Sequence, residues 1–323
     1  MNFNKNRKYF EASNTLILLH YDSTPVQEFY HAALEKAGVR LMVKREDQNH
    51  PFISGNKWWK LKYNLEEARR LDKKTLLTFG GAYSNHIYAV AAAAEECNFK
   101  SIGIIRGEEV VPLNPTLRFA TGHGMRLHYI SREDYKRKNE TDYIQQLHNT
   151  FGDFYSIPEG GTNLFAVKGC SEFAQSLLSI DFDYLCLASG TGGTMAGIIE
   201  GFASKREVIG VSVLKGDFLT QEITNLLKIS ATDKKISSPV YGKWQVLTSY
   251  HHGGYAKVPD ALKKFIREMY QQHNLPLDPV YTGKLMWAVL EEVKKGFFKR
   301  GSTILALHTG GLQGAVSYQD LYE

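Results

Sequence analysis

Short apolar runs alternate with amphipathic segments along the chain. Thr75-Leu76-Leu77-Thr78-Phe79 shows no in–out alternation and closes on Gly80-Gly81, which predicts a strand buried on both faces. The segment 84–97, SNHIYAVAAAAEEC, predicts a helix with Ser84 as its N-cap. The same reading predicts strands at Ser101–Ile105, Leu127–Ile130, Tyr155–Ile157, Tyr184–Ala188, Val208–Val213 and Thr303–Leu307. Helices are predicted at 114–124, 132–150, 163–179, 195–203, 218–227, 260–273 and 283–298. Strand, glycine turn and helix in repetition predict an α/β fold of open, mostly parallel twisted sheets with helices on both faces.

Composition narrows the picture. At 323 residues the chain has room for two domains of about 150 residues each. No Pro/Ser-rich linker divides it; the best boundary candidates lie near Asn49-His50-Pro51 and near Pro158–Thr162. A net charge of +5 gives no reason to propose nucleic acid as a partner. Cys97, Cys170 and Cys186 form neither a disulfide framework nor a C-x-x-C pair and read as buried thiols. No apolar run approaches the ~18 residues of a membrane span. Lys5, Arg7 and Lys8 precede the run Leu16-Ile17-Leu18-Leu19, but Glu11 intervenes and the run is shorter than a secretory core of ~7–15 residues. The expectation is a soluble, cytoplasmic protein.

Four of the predicted strand ends carry small or hydroxyl-rich turns, at 80–85, 160–163, 189–194 and 309–311. Ligands bind beyond the carboxyl ends of strands in such sheets, so several turns of this kind point to one anion-rich ligand. Ser189-Gly190-Thr191-Gly192-Gly193-Thr194 is the strongest phosphate candidate, because glycine lets backbone N–H groups converge and the next helix aims its N-terminus at the charge. A tight turn with no ligand would read similarly. A dinucleotide site is disfavoured: from Gly190 the sixth position is Met195, and no acidic residue closes the next strand. There is no Walker A sequence, no H-E-x-x-H and no G-x-S-x-G, and a metal site is not expected. His251-His252 precedes Gly253-Gly254, and a ligand-facing loop is one reading of it.

Lys57 opens a helical segment after Gly55-Asn56 and is flanked by Trp58 and Trp59. A lysine at a helix N-terminus in apolar surroundings has a lowered pKa and makes an amine nucleophile, although most such lysines are plain surface. Lys60 and Lys62 are expected to be solvated. Tyr21, Phe29 and Tyr30 read as core or interface, and residues 132–140 as a solvated helix face.

Six motifs then stand in register: Val43-Lys44-Arg45-Glu46-Asp47; Gly55-Asn56-Lys57 with Lys60-Leu61; Gly80-Gly81-x-x-Ser84-Asn85-His86; Ser189 to Thr194; Asp278-Pro279-Val280-Tyr281-Thr282-Gly283-Lys284; and His308-Thr309-Gly310-Gly311. In this order and spacing they resemble the 1-aminocyclopropane-1-carboxylate deaminase/D-cysteine desulfhydrase family over residues 20–315. The resemblance implies pyridoxal 5'-phosphate, the tryptophan-synthase-β-like fold, a homodimer and a small amino-acid substrate. It also implies a smaller domain over 52–160 and a larger one from 1–51 plus 161–323, with the cofactor between them. Lys57 would form the internal Schiff base, Asn85 would bond the ring 3-oxygen, and Ser189, Gly190, Thr191, Gly192, Gly193 and Thr194 would hold the phosphate. Ser84, Asn85, His86 and Tyr281 would meet the substrate, Ser84 at its carboxylate or as a proton relay.

One departure bears on the reaction. Ring-opening deaminases of this family carry Glu at the position of Thr282 and Leu at that of Thr309, whereas desulfhydrase-like members tend to carry hydroxyl residues at both. A carboxylate beside the pyridine nitrogen keeps it protonated and deepens the electron sink; a threonine hydroxyl does not. Either Thr282 or Thr309 would face that nitrogen, with Thr309 preferred. The expected reaction is β-elimination from D-cysteine to pyruvate, sulfide and ammonia, with Lys57 or a Ser84/Tyr281 relay taking the Cα proton. Ring-opening deamination, a non-catalytic cofactor carrier and a dinucleotide enzyme remain as rivals.

Overall fold

The computed structural model describes residues 19–318 and 321–322. The basic start and Leu16-Ile17-Leu18 lie outside them. The strands are β1 (Val26–Phe29), β2 (Arg40–Lys44), β3 (Thr75–Gly81), β4 (Lys100–Arg106), β5 (Met125–Ile130), β6 (Tyr155–Ile157), β7 (Tyr184–Ser189), β8 (Glu207–Ser212), β9 (Trp244–Leu247) and β10 (Thr303–Leu307). They form a six-stranded sheet in the order β1-β2-β10-β7-β8-β9 and a four-stranded sheet in the order β5-β4-β3-β6. Edge strand β1 runs antiparallel to β2; β10 runs parallel to both β2 and β7, and all four strands of the smaller sheet are mutually parallel.

The departures from the predicted elements have local causes. The polar stretch 132–150 breaks into helices Arg132–Lys136 and Thr141–Phe151, because residues 137–140 offer no apolar face to bury. The helix predicted over 218–227 runs on to Asp233, carried by the buried stripe Ile223, Leu227, Ser230 and Ala231. Strands β1, β2 and β9, absent from the prediction, are short edge or near-edge segments of four or five residues.

The helix Asn56–Arg70 places the site. Its first turn is locked by two buried indoles: Trp58 Nε1 donates to His20 O at 2.6 Å and Trp59 Nε1 to Glu46 Oε2 at 2.8 Å. Tyr21 packs tilted against Trp58 and edge-on against Trp59, 4.9 and 5.2 Å between centroids; Phe29 is core and Tyr30 is exposed. Among the described residues no helix is long and apolar enough to cross a membrane.

Candidate active site

The carboxyl ends of β3, β4, β7 and β10 open on one cavity of about 510 Å³. It brings together Lys57, Ser84, Asn85, His86, Tyr281 and Thr309. Ser189, Gly190, Thr191, Gly192 and Thr194 line it too. Two of the sequence candidates are not brought in. Gly193 starts the helix Gly193–Phe202 with its α-carbon facing the Thr162 side chain, and Thr282 is turned away.

Lys57 owes its position to a glycine. Gly55 sits at φ 69°, and a Cβ there would overlap the Thr309 carbonyl. Only a bare backbone lets the helix N-terminus approach the turn after β10, where Asn56 N donates to Thr309 O at 3.4 Å. Lys57 Nζ donates to Asn56 Oδ1 at 3.1 Å, and Asn56 Nδ2 donates to Thr194 Oγ1 at 2.8 Å. Burial pulls the Lys57 amine down from 10.5 to about 8, against the pull of Cys170 and Asp278.

A second amine lies one turn further along. Lys60 is 2% exposed, and its Nζ donates to Thr162 Oγ1 at 2.9 Å. Thr162 Oγ1 lies 2.6 Å from Thr191 Oγ1. Burial first, then repulsion from Lys57, lowers Lys60 to about 7. The expectation of a solvated Lys60 is therefore corrected, because its i, i+3 spacing puts it on the face that carries Lys57. Lys62 is also buried rather than solvated, with both Glu172 oxygens at 2.8 Å. Among the described residues, no carboxylate lies within ion-pair distance of Lys57 or Lys60. The turn facing Lys60 holds Gly192 at φ 77° and leads into the N-terminus of Gly193–Phe202. Two amines lowered by burial and a helix N-terminus, with no carboxylate of the described residues beside them, form an anion site.

His86 Nε2 is 2.8 Å from Thr78 Oγ1, which itself donates to Ile157 O at 2.8 Å. Since Thr78 spends its proton on Ile157 O, the network assigns the proton of the neutral ring to Nε2, which donates to Thr78 Oγ1. Burial, then Lys57 and Lys60, holds the imidazole neutral. Ser84 Oγ accepts from His86 N at 3.2 Å and Ile87 N at 3.3 Å, as an N-cap does, and keeps its own proton to give. Asn85 Oδ1 accepts from Gln313 Nε2 at 2.8 Å, which leaves its Nδ2 as a donor. Tyr281 OH donates to Tyr255 OH at 3.2 Å, and burial holds the Tyr281 phenol well above its ordinary pKa.

Thr282 and Thr309 part company here. Thr282 is 1% exposed, and its hydroxyl donates to Asp278 Oδ2 at 2.7 Å. Asp278 also accepts from the backbone N–H groups of Val280, Tyr281 and Thr282. Thr282 thus closes an Asx turn and is off the cavity, contrary to the expectation that it binds cofactor. His251 and His252 do not line the cavity either. His251 gives its carbonyl to Lys284 Nζ at 3.0 Å, and the His252 ring meets Trp287 edge-on at 5.3 Å.

The sequence pattern described as "Pyridoxal-phosphate dependent enzyme" matches residues 17–310. This chain belongs to that family. It is an enzyme family, and its cofactor is pyridoxal phosphate. Within it, the 1-aminocyclopropane-1-carboxylate deaminase of Mesorhizobium japonicum is 30% identical over 321 residues, covering 93% of this chain and 95% of that one. That of a Bradyrhizobium species is 28% identical over 330 residues, with 94% and 96% covered. A crystal structure described as an ACC deaminase homologue superposes with a TM-score of 0.81 at 27% identity, covering 94% of this chain and 93% of that one. A hydrogen sulfide-producing enzyme from Fusobacterium nucleatum shares the fold, with a TM-score of 0.67 at 15% identity.

The cavity fits such a cofactor. A pyridoxal-phosphate dependent enzyme needs an amine for the aldehyde and an anion cradle for the phosphate. Lys57 is an amine lowered towards neutrality by burial, and Lys60 with the 189–194 turn offers a cradle of donors for an anion. Sequence reasoning singled out the turn that holds Thr162 but missed Lys60, Tyr255 and Arg106; of these three only Lys60 carried a signal, its helical spacing from Lys57.

Proposed function

We propose that this chain is a lyase that removes the β-substituent and the amino group of a small amino acid, D-cysteine above all, yielding pyruvate, sulfide and ammonia. The observation that carries the reading is Thr309. Thr309 lines the cavity together with Lys57, and the only carboxylate lining that cavity among the described residues is Glu159, ion-paired with Lys138 at 3.4 Å. A ring nitrogen beside a neutral hydroxyl is not held protonated, and the shallower electron sink suits prompt loss of a β-leaving group better than ring opening.

Lys57 would carry the cofactor, Lys60 with residues 189–194 would hold its phosphate, and Asn85 Nδ2 would donate to its 3-oxygen. Bound there, the cofactor supplies an electron sink conjugated to the substrate's α-amino group. Ser84 Oγ–H would donate to the substrate carboxylate. Lys57 Nζ, as a free amine, would accept the Cα proton, since a base at about 8 sits near working pH. Tyr281 and Tyr255 keep their protons, because burial raises both phenols, so neither is a base; Tyr281 gives its proton to Tyr255, whose own O–H would be the donor left for the substrate. On this reading residues 52–160 form the smaller domain carrying Lys57, Ser84 and Asn85. The larger, 1–51 plus 161–323, carries the phosphate turn, Tyr281 and Thr309.

The test is a visible spectrum of the purified protein followed by D-cysteine with sulfide detection. A cofactor band with sulfide release, both lost in Lys57→Ala, is the expected result. A band without sulfide but with turnover of 1-aminocyclopropane-1-carboxylate favours the ring-opening alternative. A band with no turnover of any amino acid favours a non-catalytic binder.

A further inference from the structure

Arg106 ends β4, opposite Gly81 in the register with β3 and opposite Ile130 in the register with β5. Its side chain is exposed and lines the cavity. The guanidinium leans over the bare backbone of Gly81, 3.6 Å from where a Cβ would stand, and over the Tyr135 ring at 5.4 Å. Among the described residues it has no hydrogen-bond or ion-pair partner. Glu159, the one carboxylate in the lining, is engaged by Lys138. The other two cations of the cavity already have tasks: Lys57 takes the aldehyde and Lys60 the phosphate. Arg106 is a third, permanent cation of the lining, and among the described residues no carboxylate stands within ion-pair distance of it. Its planar fork of donors suits an oxyanion or another soft anion.

Resting on the reading above, we propose that Arg106 is the subsite for the substrate's β-substituent and selects small amino acids whose β-group is anionic or leaves as an anion. In the elimination Lys57 Nζ takes the Cα proton, a Cα–Cβ double bond forms, and the Cβ–S bond breaks with its electron pair going to sulfur, so that a thiol departs as hydrosulfide. No oxidant or reductant enters. Arginine stabilises that developing charge but gives up no proton. A hydroxyl, which must be protonated to leave as water, gains nothing from it.

The test pairs a near-isosteric acid and amide that lack a good leaving group. Aspartate and asparagine, each as both enantiomers, are titrated calorimetrically into the cofactor-loaded enzyme. Aspartate is expected to bind at least about tenfold more tightly than asparagine, as a charge-assisted hydrogen bond allows. Arg106→Gln should bring the ratio to within about twofold, Arg106→Lys should retain part of it, and Arg132→Gln on an exposed helix should leave it alone. In parallel, the kcat/KM ratio of D-cysteine to D-serine should fall about tenfold or more in Arg106→Gln. A wild-type aspartate-to-asparagine ratio near one, a ratio that Arg106→Gln leaves unchanged, or binding of neither amino acid overturns the proposal. Preference for aspartate without elimination from D-cysteine keeps the subsite and overturns the reaction instead. Elimination from D-cysteine with a ratio near one does the reverse.

Discussion

Replacing Lys60 by methionine is expected to stabilise the cofactor-free protein at neutral pH while loosening its hold on pyridoxal phosphate. The Lys60 amine is buried, has one hydrogen bond to Thr162, and sits at about 7 instead of 10.5. At about 1.4 kcal/mol per decade, that depression corresponds to up to about 5 kcal/mol. In the unfolded chain the amine keeps its proton to about 10.5; in the folded chain it releases it near 7. Between those values the unfolded state holds the extra proton, so this residue makes stability rise with pH by about 1.4 kcal/mol per unit. The cost is fully present below pH 7 and gone above 10.5. Methionine fills nearly the same space, removes the cost and gives up one hydrogen bond of about 1 kcal/mol. Thr162 keeps its contact with Thr191 at 2.6 Å. Urea denaturation of the cofactor-free protein should therefore show Lys60→Met more stable than wild type by about 2–4 kcal/mol at pH 7, the gap closing towards pH 10. Cofactor affinity should move the other way, falling about 10- to 100-fold with the loss of a charge-assisted bond to the phosphate. A variant less stable than wild type at pH 7, or a gap that does not change with pH, would refute the argument.

Three further outcomes follow from the same geometry. With Lys57 at about 8, the rate of cofactor uptake, followed by visible absorbance, should rise about tenfold from pH 7 to pH 9; a hundredfold rise would mean an ordinary, solvated amine. Lys284 is buried, and its Nζ donates to His251 O, Gly254 O and Tyr255 O at 3.0, 2.8 and 3.4 Å. Lys284→Met strands those carbonyls and should cost about 2–4 kcal/mol and speed proteolysis of the turn that carries Tyr255; unchanged protease sensitivity would count against this role. Gly192→Ala forces a side chain into φ 77° with its Cβ 3.0 Å from Ile223 Cγ1. It should cost about 1–2 kcal/mol in denaturation and weaken cofactor binding, whereas neutral behaviour in both would show that the turn relaxes freely.

What the sequence made legible follows from how each part is built. Strands β3, β4, β7, β8 and β10 are buried on both faces, so their apolar runs are continuous and stand out. Strand β1 is an antiparallel edge with one buried residue of four, and β2 has three buried residues between charged ends; neither offers a run long enough to recognise. The turns at 80–86, 189–194 and 309–311 were legible because glycine and hydroxyl residues follow strands there. Lys57 was legible through its flanking tryptophans, and the same helical arithmetic applied three residues on would have found Lys60. Tyr255 and Arg106 reach the cavity from separate parts of the chain, before the helix Asp260–His273 and at the end of β4. No local pattern ties them together.

The two threonines show where spacing alone stops. Both follow motif residues, both are nearly buried, and composition does not distinguish them. The distinction comes from Asp278, four residues before Thr282. Desolvation raises its pKa, and the N–H groups and hydroxyl it collects act the other way. A buried carboxylate needs those donors, and Thr282 is within reach of it. Thr309 follows His308, whose ring bonds Pro276 O at 2.7 Å, and the Thr309 carbonyl is taken by the N-terminus of the Lys57 helix. Among the described residues no hydrogen bond of that kind engages its hydroxyl, and Thr309 lines the cavity. One aspartate, spent on its own turn, thus decides which of two like residues can meet a ligand. The neutral residue that lines the cavity with Lys57 is the feature on which the elimination reading rests.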